Sequence, residues 1–163
     1  MAERVAAPTQ GTTGLLVQET QAAAQQLGVG LVVQEIAHAG ELADAFALYR
    51  RQQAPALIVQ VGPLTLELRA RITQLAAQQR LPAMYEVRNF VDDGGLVSYG
   101  PDLRESYRRA AAYVGQIFNG AKPEDLPVEQ PDRLELVINL KTAKALGLMI
   151  PEGLLLRADQ VIQ

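Results

Sequence analysis

Hydrophobic and polar positions alternate between two periods along this chain, and the switching predicts a regular succession of helices and strands. The stretch from Thr12 to Leu27 reads as a helix, with Leu16, Ala23 and Leu27 near one face and Gly28 placed to end it in a left-handed conformation. Leu31 to Ile36 is short and rich in β-branched residues, as a strand requires. From Glu41 to Gln53 the residues Leu42, Ala45, Phe46 and Tyr49 follow the i, i+3, i+4, i+7 spacing that puts them on one buried stripe. Leu57 to Val61 is mostly apolar, the pattern of a parallel strand covered on both faces, and Gly62 and Pro63 stop it. Leu64, Leu68, Ile72, Leu75 and Ala76 predict one helix over 64–79, followed by a short strand over 82–85 and another stretch over 94–99.

Strand–helix–strand alternation with short links implies right-handed crossovers and a parallel sheet, so the fold class is α/β, Rossmann-like, in three layers. A change comes at Gly100-Pro101. Asp102 is placed to cap a further helix, with Glu105 in capping-box position. Leu103, Tyr107, Ala111, Val114 and Phe118 predict its buried side, and Gly120 its end. Three prolines (Pro123, Pro127 and Pro131) make 121–132 an extended linker or edge segment. Leu134 to Ile138 reads as a strand, and Lys141 to Leu146 as a short helix closed by Gly147. The tail beyond Ile150-Pro151 has apolar residues that need a surface to cover.

Composition narrows the chemistry. With 163 residues and a hydrophobic fraction of 48%, the chain can bury a core, but aromatics are only 5% and Trp is absent, so that core is aliphatic. The net charge of −3, with no Lys/Arg run, gives no electrostatic support to nucleic acid or an anionic membrane as partner. No cysteine and a single histidine, His38, remove disulfides, thiolate nucleophiles and the usual transition-metal ligands. No cofactor is expected: Gly28-Val-Gly30 runs into a strand, where a dinucleotide fingerprint needs a third glycine opening a helix. His38 reads as a surface residue, and Asp92-Asp93 and Glu124-Asp125 as solvated turns. The chain offers no catalytic motif.

Binding has better support. Ligands of open parallel sheets gather outside the carboxyl ends of the strands. Those ends carry Gly62, Pro63 and Leu64, then Tyr85, Glu86 and Arg88, then Ser98 and Tyr99. The tyrosines offer apolar faces with a polar tip, and Arg88 can clamp a carboxylate. Each also has a plain alternative: Tyr85 as core, Arg88 as an ion-pair partner, Asp102 as only a helix cap.

Ser98-Tyr-Gly-Pro-Asp-Leu103, Asp125-Leu-Pro-Val-Glu-Gln-Pro131 and above all Asn139-Leu-Lys-Thr-Ala-Lys-Ala-Leu-Gly147, continuing through Leu155-Leu-Arg-Ala-Asp159, resemble the substrate-binding family of ABC transporters that includes tryptophan- and tyrosine-binding lipoproteins. The resemblance runs from about Gly11 onward. It implies a type I periplasmic-binding-protein architecture, in which two lobes close on a small amino-acid-like solute and present it to an ABC permease. It implies that residues 1–99 form the second lobe and that residues 100–163 cross back and complete the first. The first strand of the second lobe is expected to be degenerate, with only Arg4-Val-Ala-Ala-Pro8 left of it. Family members are about twice this length, so the chain is expected to be a truncated copy or a fragment. The family works in the cell envelope, whereas the N-terminal residues carry no export-signal pattern, which leaves the cytoplasm as the expectation for the chain as it stands. Two alternatives stay open: a self-associating α/β module, perhaps a homodimer through an exposed sheet edge, and a small enzyme using Glu86, Arg88 or Asp102.

Overall fold

The structure is a computed structural model that describes residues 4–9, 14–129 and 133–163. One seven-stranded sheet organises it, in the order β2-β1-β3-β4-β5-β6-β7. In chain order the elements are β1 (Arg4–Thr9), α1 (Gly14–Gln26), β2 (Gly30–Glu35), α2 (Leu42–Arg51), β3 (Ala56–Val59), α3 (Pro63–Glu67), α4 (Arg69–Gln78), β4 (Ala83–Tyr85), α5 (Asn89–Asp92), β5 (Val97–Pro101), α6 (Leu103–Phe118), β6 (Leu134–Asn139), α7 (Leu140–Leu146), α8 (Glu152–Leu155) and β7 (Gln160–Ile162). Strands β1 to β5 pair in parallel, as the alternation predicts.

The core sits where α2 and α4 cover β3 and β4. Leu42, Ala45, Phe46 and Tyr49 are all buried, so the predicted stripe of α2 is the one the fold uses. Phe46 meets Tyr49 edge to face at 5.8 Å, and Ile72 and Ala76 of α4 close over Leu57, Val59 and Ala83. Each large side chain so enclosed contributes about 1.5–3 kcal/mol. The predicted helix over 64–79 is broken at Leu68, whose ψ of 6° separates α3 from α4. Helices α1, α6 and α7 are followed by left-handed Gly28, Gly120 and Gly147, at the positions the sequence marks. Helices α2 and α4 close in the same way on Gln53 and Arg80, which bear side chains and so give no such signal.

Two expectations need correction. The first strand is present: β1 pairs with all of β2 and, at Val5 and Ala6, with β3. Pro8 stands beyond the β3 pairing, so its missing N–H does not interrupt that ladder. Backbone pairing, not a hydrophobic pattern, makes this strand.

The tail, which the resemblance assigns to the first lobe of a longer protein, pairs with the sheet here. Strand β6 pairs antiparallel with β5 over five residues, and β7 lies parallel to β6. Residues 134–162 therefore complete this same sheet, with Val137 and Ile138 buried in it.

Helix α6 is the second correction. Asp102 caps it as expected, accepting from the Arg104 N–H at 2.9 Å, but the Glu105 carboxylate goes to Arg108 and Arg109. No residue of the helix is buried. Tyr107 is 74% exposed and Phe118 85% exposed, with Val114 open as well, and only Leu103 packs against the core. The apolar stripe is real, yet nothing among the described residues covers it.

Candidate functional site

Parallel pairing puts the carboxyl ends of β3, β4 and β5 side by side, since Val59 registers with Tyr85 and Tyr85 with Ser98. The three turns that follow form one edge of the sheet. In the first, Gly62 caps α3 and Pro63 opens it, where a missing N–H does no harm. The Gly62 N–H donates to Thr65 Oγ1 at 2.8 Å, and that hydroxyl donates in turn to the Gln60 carbonyl at 2.9 Å. Leu64 is half-buried against the core.

The second turn is tied to the first. The Glu86 carboxylate accepts the backbone N–H of Val61. Arg88 is held by two acids, Asp92 at 3.3 Å and Glu135 of β6 at 3.0 Å. Its guanidinium pKa is raised, first by the hydrogen bond to Asp92 and further by the charges of Asp92, Glu135 and Asp102, against desolvation. Arg88 thus serves as an ion-pair partner that fastens the β4 turn to β6.

The third turn lies against the second. Gly100 packs on the backbone of Glu86 so closely that a β-carbon there would overlap the Glu86 carbonyl oxygen. Tyr99, on the opposite face of β5, is 45% exposed.

Two of the eight expected residues are interior. Tyr85 is 1% exposed and stacks on Phe90 at 4.7 Å with the rings 12° apart. Burial pushes its phenol well above the usual range. Ser98 shares the buried face of β5 with Gly100, and its Oγ has no hydrogen-bond partner among the described residues. The period-2 alternation of strands sends both inward. Gly62, Pro63, Leu64, Glu86, Arg88 and Tyr99 are brought together along the edge. Sequence reasoning placed Gly100 at the end of its strand but missed its approach to Glu86, and it missed Val61 and Glu135, since a close approach, a backbone amide and a cross-strand ion pair carry no local signal.

Beside this edge a cavity of about 670 Å³ opens between α6 and the segment leading into β6, lined by Asp102, Glu105, Arg109, Tyr113, Glu129 and Glu135. Its charges are largely engaged with one another: Arg109 meets Glu129 at 2.9 Å, and the Tyr113 hydroxyl donates to the Pro127 carbonyl at 3.0 Å. His38 is exposed and meets Glu41 at 3.3 Å. Asp92 and Asp93 are ion-paired with Arg88 and Arg69, not merely solvated. Among the described residues no three His, Asp or Glu side chains are grouped to hold a metal ion, and no helix is long and apolar enough to cross a membrane.

Comparison with known proteins gives a consistent picture. A family model described as ABC transporter substrate binding protein matches residues 5–162. No curated protein was found to match the sequence. Among solved structures, a conserved domain protein from Vibrio cholerae is similar over 98% of this chain and 54% of its own, with a TM-score of 0.88 and 22% identity. An ABC domain in complex with L-Trp from Streptococcus pneumonia is similar over 98% and 55%, with a TM-score of 0.88 and 24% identity. A substrate binding protein with adhesive properties from Clostridium difficile, in a ligand-free, open structure, is similar over 99% and 55%, with a TM-score of 0.70 and 18% identity. At these identities the likeness is one of fold, and the chain spans about half the length of each of these neighbours.

Proposed function

We propose that this chain, which belongs to the ABC transporter substrate-binding protein family, contributes one wall of a cleft that takes up a small amino-acid-like solute for an ABC permease. The family is one of extracytoplasmic binding components and not of catalysts. The observation that carries this reading is the convergence of three turns on one sheet edge, with Val61, Glu86 and Gly100 locked together and Tyr99 left open beside them. An edge held this firmly loses little freedom when a solute arrives, which is how a preformed site gains affinity. Backbone groups beyond the strand ends, the Tyr99 ring and the nearby acids suit a small zwitterion with an apolar side chain. L-Trp in one structural neighbour is of that class.

By the family's two-lobed layout the opposing wall belongs to the other lobe. The uncovered apolar stripe of α6, which leaves the sheet at this same end, supports that arrangement. Burying such a stripe against a second lobe is the ordinary outcome for a helix with one apolar face.

The test is an NMR titration of the chain with single L-amino acids, tryptophan and tyrosine first. Saturable shifts are expected at the amides of Gly62, Leu64, Glu86, Val87, Arg88, Tyr99, Gly100 and Asp102. Shifts confined to the cavity beside α6, or none at millimolar solute, would remove the edge as a solute site.

A further inference from the structure

We infer that Glu86 is a positioning residue, a side-chain clamp that sets the geometry of the solute edge, and not a group that touches the solute. The inference rests on the reading of that edge as the solute site. Two observations meet at this residue. Strand pairing between β3 and β4 stops at Val59 and Tyr85, so the Val61 N–H lies past the end of the ladder. A backbone donor left there needs another acceptor, and the Glu86 carboxylate supplies it from across the turn. On the other side the Glu86 carbonyl fills the space that a side chain at position 100 would take, fitting β5 against the same residue. One residue therefore fastens the first turn with its side chain and the third with its backbone.

The consequence for the site is specific. The Val61 amide immediately precedes Gly62 and Pro63, which open α3, so releasing Val61 frees the turn that presents Gly62 to the solute. Thr65 holds that turn from the helix side only. A clamp of this kind needs an acceptor at the right reach, whereas a direct contact with a solute ammonium needs a negative charge. Glu86→Gln keeps the reach and loses the charge; Glu86→Asp keeps the charge and loses the reach.

These variants separate the two roles in the intact chain. Hydrogen exchange at the Val61 amide, measured without any solute, is expected to rise about tenfold or more in Glu86→Asp and Glu86→Ala, the loss of one hydrogen bond, and to stay within about threefold of the parent in Glu86→Gln. With L-tryptophan as probe, affinity should fall in Glu86→Asp and be largely kept in Glu86→Gln. Unchanged Val61 exchange in Glu86→Asp overturns the clamp. So does an affinity that is lost in Glu86→Gln and kept in Glu86→Asp, the mark of a charge contact. If the parent chain does not bind L-tryptophan, the solute reading fails for that probe, while the exchange rates still decide the clamp.

Discussion

Gly100 of β5 lies directly against the main chain of Glu86, with no room for a β-carbon between them. Two neighbouring parallel strands can approach this closely past the end of their pairing only because position 100 has no side chain. Gly100→Ala is therefore expected to destabilise the fold by about 3 kcal/mol, at the upper end of overpacking effects, because the obstructing atom is backbone and cannot rotate away. Urea unfolding of the two proteins checks this. A loss under 1 kcal/mol would show that the strands slide apart freely.

The two phenylalanines of α2 and α6 should behave oppositely. Phe46 is fully buried and Phe118 is 85% exposed. Phe46→Ala is expected to cost about 3–5 kcal/mol, and Phe118→Ser less than about 0.5 kcal/mol. The same Phe118→Ser change should lower the binding of a hydrophobic dye, since it removes part of the open stripe. Equal destabilisation by the two substitutions would mean that α6 is covered in solution.

Tyr49 carries a buried hydroxyl with no hydrogen-bond partner among the described residues. Tyr49→Phe removes that unmet group and is expected to raise stability by about 1 kcal/mol at neutral pH. Burial also holds the phenol above its ordinary value of 10.0. A group whose folded pKa is raised contributes stability that is fully present below the unfolded value and is lost as pH climbs toward the folded one. The parent should thus weaken above pH 10, and Tyr49→Phe should weaken less steeply. Unfolding midpoints on both sides of pH 10 test the two statements separately.

Arg88 and Glu135 are mostly shielded from solvent, with 16% and 20% of their side chains exposed. Removing one partner leaves a half-buried charge on the other, so Arg88→Ala or Glu135→Ala alone should cost about 2 kcal/mol, between the surface and the deeply buried cases. The double substitution should cost less than the sum, with a coupling of about 1–2 kcal/mol. A coupling near zero would mean that Asp92, also within reach of Arg88, takes over the pairing.

Family membership changes how these residues are read. The chain matches the family over residues 5–162 while spanning about half of its structural neighbours. On the two-lobed reading proposed above, the stripe of α6 is the face turned toward a second lobe.

The amino-acid sequence by itself determined the local choices. Helix ends at Gly28, Gly120 and Gly147, the cap at Asp102 and the buried stripe of α2 all depend on neighbours a few residues away, where periodicity and conformational preference act. The motif around Asn139 was enough to identify the family, and that residue does cap α7, accepting from the Thr142 N–H at 3.0 Å. The tertiary structure alone decided what depends on distant partners. Strand β1 exists because β2 and β3 pair with it; β6 turns back antiparallel onto β5 because that edge was open; Tyr85 and Ser98 face inward because of the strand's phase. The stripe of α6 shows the division most plainly. Apolar spacing along a helix records that a partner is required, but whether the partner lies within these residues is a matter of packing in space, which no local pattern encodes.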